Sequence, residues 1–399
     1  MKKLMLLGGA RYALPVIEAA HKLGVYVITC DYLPDNIAHK YSDEYVNVSI
    51  IDKAAVLEKA QELEIDGILS FACDPGVDTC YYVAEKMGLP GHPSKSVDIL
   101  QNKALFRQFL TDNGFNVPKA KGYTNIEAAI ADKDLYRWPV IVKPVDSAGS
   151  KGVTKVEEPD ALKKAAEFAI KYSKTDSFIV EEFIQQKGYS SDTDSFSIDG
   201  KLVFASFSNQ YFDAKANNPY TPSAYSWPST MPNEIQAELR SELQRLITLL
   251  DLKTSIYNIE TRMGTDNKPY IMEVSPRGGG NRLSEMLRYA TGTDLIINSV
   301  RSAVGLPIEG IAGDPVYDGC WAIIILHSDS NGKFVKLDID ESVKSFVVEE
   351  DLWVNQGDEV HEFTGANETI GTLVINCENQ KQVEECLDKA SNLFKVIVE

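Results

Sequence analysis

The sequence is 399 residues long, with 44% hydrophobic and 25% charged residues, a composition that indicates a folded globular protein of two or three domains. Its formal net charge is -18 at pH 7. Binding to nucleic acid or to an anionic membrane surface needs a basic face, which so acidic a chain is poorly suited to provide. We therefore expect neither a nucleic-acid partner nor a membrane partner, and any positive site must be local.

The cysteines and the N-terminal residues also narrow the possibilities. The six cysteines form no CxxC pair and no cluster with histidine at zinc-binding spacing, so we predict reduced thiols rather than a structural zinc site. The opening MKKLMLLGGAR has an apolar run too short for a signal peptide and suited to a buried strand. No other stretch is long enough to span a bilayer, which favours a cytoplasmic location.

Residues 3–91 alternate short apolar runs with helical patterns, which is typical of a parallel sheet wound with helices. The turn GGARYA, with Asp31 after the second strand, is faintly similar to a dinucleotide fingerprint. The third glycine is missing, and Gly8 and Gly9 are adjacent, so a tight strand-to-helix turn is the favoured interpretation. The alternative is an oxidoreductase that binds a nicotinamide cofactor.

Two changes of pattern divide the chain. The segment LPGHPS at residues 89–94 interrupts the first alternation, and an amphipathic helix from Asp98 to a closing Gly114 opens a second one. Beyond residue 310 the pattern changes to strands and turns with one last helix. We predict three units, over residues 1–92, 93–310 and 311–399.

Residues 254–263 and 269–275 predict a hairpin that turns at Asp266 and Asn267. In this register Glu260 lies opposite Glu273, and Asn258 lies opposite Ser275. Alternation places these four polar residues on one face of the hairpin. It places the following residues on the core face: Tyr257, Ile259, Met263, Tyr270, Met272 and Val274.

Two opposed carboxylates repel each other unless a cation lies between them, and oxygen ligands of this kind suit Mg²⁺. Two alternatives remain: an exposed polar face with the register shifted by one residue, or a pair of glycosidase-type carboxylates. Arg277 follows the strand, and Gly278 to Gly280 would let the backbone approach a ligand closely. Acids for a metal and an arginine for a developing anion are typical of phosphoryl transfer.

The stretch PVIVKPVDSAGSKGV is an apolar strand that ends in Lys143 and leads into a small-residue loop at residues 146–152. Short side chains leave backbone N–H groups free to bind phosphate oxygens, and Lys151 adds positive charge. The loop is not a Walker motif, and surface turn chemistry is the alternative. The apolar strand in SFIVEEFIQ, residues 177–185, could bind an adenine ring through its backbone, or it could be an edge strand.

In this order, these motifs resemble the ATP-grasp superfamily, and the resemblance extends over nearly the whole chain. It implies an α/β fold: a Rossmann-like N-terminal domain, an ATP-grasp domain with a mobile clamping subdomain at about residues 118–190, and a mainly β C-terminal domain of the α+β type. The C-terminal unit is similar to that of the biotin carboxylase and amino-acid ligase branches. Carbamoyl-phosphate synthetase large chains are also similar, but they carry two such units.

The resemblance also implies roles for individual residues. The predicted phosphate-binding residues are Lys103, Lys143, Ser147, Gly149, Ser150, Lys151 and Gly152. The predicted adenine hinge consists of Glu181, Glu182, Phe183 and Ile184. Mg²⁺, with Mn²⁺ as a possible substitute, would be bound by Glu260 and Glu273, with Ser275 where many relatives have asparagine. Arg277, with Lys151, would stabilise the reacting groups. Ser190 stands where relatives often place a ribose-binding glutamate, which leaves Asp192 or Asp194, and we take Asp194.

The implied activity is ATP-dependent ligation: a small-molecule carboxylate becomes an acyl phosphate, and an amine or another nucleophile displaces the phosphate. We expect a homodimer by the same resemblance. The loop at residues 209–231 is predicted to shape the second-substrate pocket through Lys215, Tyr220 or Tyr225. Asn281 and Arg282 are further candidates for the same pocket. Alternatives are a carboxyphosphate-forming carboxylase or carbamoyl-phosphate-synthetase-like enzyme, and a non-catalytic nucleotide-binding regulator.

Overall fold

A computed structural model describes residues 1–147, 149–214, 218 and 220–399. The N-terminal unit is a four-stranded parallel sheet in the order β3-β2-β1-β4, as its sequence pattern predicts. Its strands are β1 (Lys3–Leu7), β2 (Tyr26–Cys30), β3 (Glu44–Val46) and β4 (Gly67–Ser70). Its helices are α1 (Leu14–Lys22), α2 (Lys53–Glu62) and α3 (Asp74–Met87).

The predicted helix from Asp98 to Gly114 is two helices, α4 (Ser94–Gln101) and α5 (Lys103–Asp112). Asn102 separates them with an extended backbone (φ -102°, ψ 110°), and its side chain accepts hydrogen bonds from the N–H groups of Ala104 and Leu105. An asparagine that caps a helix satisfies N–H groups that have no partner within it. The single-helix prediction was therefore wrong, and the break places Lys103 at the start of a helix.

Two antiparallel sheets follow. The first has the order β5-β8-β6-β7 and the second the order β10-β9-β13-β14. The strands of the first are β5 (Ala120–Tyr123), β6 (Val140–Pro144), β7 (Thr154–Val156) and β8 (Phe178–Glu182). Those of the second are β9 (Ser191–Ile198), β10 (Lys201–Ala205), β13 (Ser255–Met263) and β14 (Pro269–Ser275). The helices of this region are α6 (Ile126–Ala131), α7 (Leu162–Ile170), α8 (Asn233–Leu249), α9 (Leu283–Thr291) and α10 (Leu295–Ala303).

The C-terminal unit is mainly β, as predicted. Its larger sheet has the order β11-β12-β15-β19-β17, and its smaller sheet the order β18-β16-β20. The larger sheet contains β11 (Asn209–Phe212), β12 (Pro222–Trp227), β15 (Cys320–Leu326), β17 (Val347–Leu352) and β19 (Gly371–Cys377). The smaller contains β16 (Gly332–Ile339), β18 (Glu359–Val360) and β20 (Phe394–Val398), and α11 (Gln380–Asp388) and α12 (Ala390–Leu393) complete the unit. β11 and β12 precede residue 310 in the chain but belong to this sheet. The domain boundary at residues 310–311 therefore stays a prediction.

One buried apolar cluster joins the N-terminal sheet to the rest of the chain. It includes Leu4 and Leu69 of the first sheet, Leu287 and Val300 of α9 and α10, and Ile323 of β15. Burial of such side chains is the main favourable contribution to folding. The carboxyl end of β4 is thereby held against the segment that follows β14. None of the helices in the described ranges is both long and apolar enough to cross a membrane.

Candidate active site

The predicted hairpin forms in the predicted register. Glu260 pairs with Glu273 and Asn258 pairs with Ser275 on antiparallel β13 and β14. Asn267 has a φ of 59°, and its N–H donates to the Gly264 carbonyl, which forms the predicted turn. The two carboxylates therefore belong to directly opposed residues.

One residue beyond this pair, the strands depart from the prediction. The register shifts after Glu260, because Thr261 pairs with Ile271 and leaves Met272 as an extra residue. Such a bulge reverses the alternation of side chains on its far side. Ile271 therefore joins the core cluster with Tyr257, Ile259 and Val274, whereas Met272 is buried, as predicted, but lies outside that cluster.

The bulge also provides a carbonyl that accepts a hydrogen bond from a side chain of α5. The carbonyl of Met272 accepts a hydrogen bond from Arg107 Nη1 at 2.9 Å, and Arg107 Nε donates to Glu181 at 2.8 Å. Lys143 Nζ contacts the other oxygen of Glu181 at 2.5 Å. Burial would raise the pKa of Glu181, but Arg107 and Lys143 lower it to about 2. Glu181 is thus an ionised counter-charge for two cations.

Four residues were predicted to form an adenine hinge, and the side chains of its two glutamates bind protein cations instead. Glu181 faces Arg107 and Lys143, and Glu182 accepts from Arg137 Nη2 at 2.9 Å. The N–H of Phe183 donates to the Pro139 carbonyl. The N–H of Ile184 has no hydrogen-bond acceptor among the described residues, so it is the hinge group open to a ligand.

Lys103 stands between the hairpin and the predicted phosphate loop. Its Nζ donates to the Ser147 carbonyl at 2.9 Å and lies 3.5 Å from a Glu273 oxygen. Its backbone N–H donates to the Val145 carbonyl at 2.9 Å. The break at Asn102 therefore lets one lysine contact the loop, the residue that precedes the loop and a predicted metal ligand.

The loop at residues 146–152 depends on unusual backbone conformations. Gly149, Ser150 and Gly152 have φ values of 68°, 58° and 73°, a region that side chains with a Cβ rarely adopt. Ser150 Oγ donates to the Tyr220 carbonyl at 3.1 Å, while Lys151 is exposed. Ala148 lies outside the described residues. The loop is tied to the segment after β11 through Ser150.

Arg277 is held by a residue that the sequence analysis did not single out. Its Nε and Nη2 each lie 2.8 Å from an oxygen of Asp74, the first residue of α3, and Nη1 donates to the Gly278 carbonyl at 2.8 Å. Burial raises the pKa of Asp74, but Arg277 outweighs it and holds that pKa below its usual value. Ser275 Oγ lies between Asp74 and Gln101, at 3.4 and 3.2 Å. The only local signal was an acid after the apolar strand in GILSFACDP.

Asp194, predicted to bind ribose, lies beneath the glycine turn instead. It is fully buried, and its carboxylate accepts from the N–H of Gly279 at 2.8 Å and contacts Ser284 Oγ. A side chain with no exposed surface cannot reach a ribose hydroxyl, so the structure assigns Asp194 to the support of residues 278–280. Burial raises its pKa to about 6.

The glycines at 278 and 279 are required by close approach to protein groups rather than to a ligand. A Cβ at Gly278 would lie 2.2 Å from the Phe71 ring, and one at Gly279 would lie 2.8 Å from both Asp194 Oδ1 and Asn258 Nδ2. A Cβ at Gly280 would meet only the Tyr12 ring at 3.9 Å, an ordinary contact. Our interpretation of this turn as a ligand-facing backbone was therefore wrong at the first two positions.

Two of the predicted second-substrate residues, Tyr225 and Asn281, are in contact. Tyr225 is buried, and its hydroxyl donates to Asp192 at 3.1 Å and accepts from Asn281 Nδ2 at 3.2 Å. Arg282 instead binds Glu285 and Glu349. Tyr220 offers its carbonyl to Ser150, and Lys215 lies outside the described residues. Asp192, which also accepts from Asn258 Nδ2 at 2.8 Å, joins this group to the hairpin.

Comparison with known proteins agrees with this geometry. A family model described as an ATP-grasp domain matches residues 136–285. The chain therefore contains an ATP-grasp domain over these residues. A formate-dependent phosphoribosylglycinamide formyltransferase of Bacteroides thetaiotaomicron is 23% identical over 100% of this chain and 99% of its own length. The resemblance inferred from the sequence motifs is thus confirmed.

Two solved structures show the same fold over the whole chain. The L-amino acid ligase from Bacillus licheniformis has a TM-score of 0.82 at 20% identity, covering 100% of this chain and 99% of that one. The biotin carboxylase domain of the Hydrogenobacter thermophilus 2-oxoglutarate carboxylase, in complex with MgADP, has a TM-score of 0.76 at 15% identity, covering 100% and 91%. The matched ATP-grasp domain contains Lys143, Glu260, Glu273 and Arg277, whereas Asp74 lies before it.

Replacing Gly279 with alanine tests the close approach of the glycine turn. The added Cβ must displace Asp194, Asn258 or the Leu283 side chain, all within 2.8 Å, and overpacking of this kind costs about 1–3 kcal/mol. We expect Gly279→Ala to lower the melting temperature measured by calorimetry. Gly280→Ala is the matched control and should melt close to wild type; equal melting of both variants would contradict this account of the turn.

The buried carboxyl of Asp194 predicts a pH dependence of stability. Its folded pKa of about 6 exceeds the unfolded value, so its contribution is complete below about pH 4 and is lost as pH rises through 6. Asp194→Asn has no such term. The melting temperature of the variant relative to wild type should therefore rise from about pH 4.5 to about pH 7.5. The exposed Asp160→Asn is the control, and a pH-independent difference for Asp194→Asn would refute the assignment.

Proposed function

We propose that this ATP-grasp protein is an ATP- and Mg²⁺-dependent ligase that activates a small-molecule carboxylate and joins it to an amine or another nucleophile. The observation that carries the proposal is the opposed pair Glu260 and Glu273, with Lys103 beside Glu273 and Arg277 beyond the end of the same strand. Anionic ligands for a metal and cations for phosphate oxygens stand within one hairpin and its flanks. This combination is what phosphoryl transfer requires.

The donors fit Mg²⁺, and Mn²⁺ would be an adequate substitute. Glu260 lies 2.7 Å from Arg262 and Glu273 lies 3.5 Å from Lys103, so each carboxylate has a cation beside it and belongs to a residue that faces the other across the strands. We propose that these two side chains bind the metal, which when bound offsets the negative charge of the phosphate oxygens. Ser275 is the weaker candidate, since its hydroxyl is already placed between Asp74 and Gln101.

The remaining residues suit the rest of a nucleotide. We propose that Lys103 and Lys143 contact phosphate oxygens, while the N–H groups around Gly149 and Ser150 cover them together with Lys151. Glu181 fixes the ammonium group of Lys143, which limits the conformational entropy that this lysine loses when phosphate binds. The open N–H of Ile184 would donate to the adenine ring. The subdomain at residues 118–190 would close over the nucleotide and exclude water.

The proposed reaction has two displacements. A carboxylate oxygen attacks the γ-phosphorus of ATP, ADP leaves and an acyl phosphate forms. The nucleophile then attacks the acyl carbon, and phosphate leaves as the nucleophile loses a proton. Arg277, oriented by two contacts from Asp74, would stabilise the negative charge that develops in each step. Asp192, partly exposed and hydrogen-bonded to Tyr225 and Asn258, is suited to receive the cationic form of an amine.

Replacing Glu273 tests the proposed metal site. Glu273→Gln keeps the shape of the side chain but removes its charge, so we expect Mg²⁺-dependent ATP turnover to fall by about 10²-fold or more, in line with the loss of a group that stabilises phosphoryl transfer. The melting temperature without nucleotide should stay near that of wild type, because Glu273 is half-exposed. The exposed Glu238→Gln is the matched control. Full activity of Glu273→Gln would refute the metal assignment.

The ligase activity itself is tested by measuring ADP and phosphate release from ATP with a panel of carboxylates and amines, with and without Mg²⁺. Formate, amino acids in pairs and bicarbonate belong in this panel. We expect release that depends on one carboxylate and, for full turnover, on one nucleophile. Release that needs bicarbonate would instead favour the carboxyphosphate alternative. ATP that raises the melting temperature but gives no release with any pair would favour the non-catalytic regulator.

A further inference from the structure

A second group of metal-ligating side chains lies in the C-terminal unit, outside the proposed ligase site. Asp213 follows β11, and His327 and Asp329 follow β15. Within the described part of the chain, one ligand atom from each of the three lies within 4.8 Å of the others. Asp213 is 114 positions from His327 in the sequence, and the sheet order β11-β12-β15 brings the two to one end of the sheet. We propose that they form a binding site for a divalent transition ion such as Zn²⁺.

The tautomer of His327 is the first argument for an ion. Its Nδ1 lies 2.7 Å from the Ile325 carbonyl, and a carbonyl oxygen only accepts hydrogen bonds, so Nδ1 carries a proton. Nε2 is the nitrogen left for a ligand, and it faces an Asp213 oxygen. A metal ion between the two could accept an electron pair from each. A histidine whose other nitrogen is held by a carbonyl is the usual form of a metal ligand.

The distance between these two atoms is the second argument. Nε2 of His327 and Oδ2 of Asp213 are 3.5 Å apart, longer than the 2.7–2.9 Å of a charge-assisted hydrogen bond. Two ligand atoms that are each about 2.1 Å from a tetrahedral zinc ion lie roughly 3.4 Å apart. The observed spacing thus suits an ion shared by the two groups better than a proton shared between them.

The site is also built rather than loosely assembled. The His327 ring stacks on buried Phe363 with centroids 4.1 Å apart, and its side chain is 13% exposed. Asp213 is 20% exposed, and Asp329 is on the surface. Imidazole favours zinc and its transition-metal neighbours over Mg²⁺ and Ca²⁺, while two carboxylates add hard ligands and leave room for water. An ion here would cross-link the end of β11 to the end of β15.

Cobalt binding tests this site without ATP and without ligase activity. Metal-free protein is titrated with Co²⁺, whose visible absorption reports coordination by protein ligands, and Zn²⁺ is then added as a competitor. We expect one equivalent to bind to wild type and Zn²⁺ to displace it. His327→Gln should weaken binding by about 100-fold or more, since even partners of metal ligands contribute 10- to 100-fold. Asp329→Asn, at an exposed position, should weaken it without threatening the fold.

Two controls separate this site from other sources of binding. His361→Gln removes an exposed histidine of the same unit and should bind Co²⁺ as wild type does. Glu273→Gln should also retain the signal, because the proposed Mg²⁺ site does not contribute to it. Loss of the signal in Glu273→Gln, equal binding by wild type and His327→Gln, or no binding by wild type at millimolar Co²⁺ would each overturn the proposal. The last result would mean that His327 and Asp213 share a proton.

Discussion

The site depends on the burial of the Arg277 guanidinium, and that burial depends on Asp74. A charged group removed from water costs several kcal/mol unless an opposite charge and hydrogen bonds accompany it. Asp74 provides both through two contacts at 2.8 Å, and it begins a helix of the N-terminal unit. Phe71 and Ala72 precede it and contact Gly278, the former by its ring and the latter by a hydrogen bond to the carbonyl. The N-terminal unit is therefore a structural part of the proposed active site.

A second buried ion cluster holds together the elements around the proposed nucleotide site. Glu181 lies between Arg107 and Lys143, and the Met272 bulge supplies a carbonyl to the same arginine. Arg107 and Glu181 are each only 3% exposed, so removal of Glu181 would leave the Arg107 guanidinium buried without a counter-charge. The cluster connects α5, β6 and β8 to the hairpin that carries the proposed metal ligands. Their relative position is thus fixed by charge as well as by apolar contact.

Sequence patterns predicted the features set by neighbouring residues and missed the contacts between segments that are distant in the chain. Alternation and the turn at Asn267 were enough to pair Glu260 with Glu273, because register follows from a two-residue period and a short loop. The bulge at Met272 has no local signal, and neither does the pairing of Asp74 with an arginine some 200 positions away in the chain. The sequence does not identify Asn102 as a helix cap, because the apolar period of the helix continues across it. The sequence predicts that Gly278 and Gly279 face a ligand, because it cannot show that Phe71 and Asp194 lie beside them.

The strengths of these ion pairs indicate where a ligand would enter. Arg107 pairs with Glu181 and Arg277 pairs with Asp74 in buried surroundings, so a phosphate would gain little by displacing either carboxylate from its arginine. Lys103 and Glu273 differ: they are 3.5 Å apart, and Glu273 is 39% exposed. A partly exposed pair at this distance contributes little to stability. It can therefore be exchanged at small cost for better partners, a phosphate oxygen for Lys103 and a cation for Glu273. The tight pairs hold the site in place, and this loose pair is where binding would change the contacts.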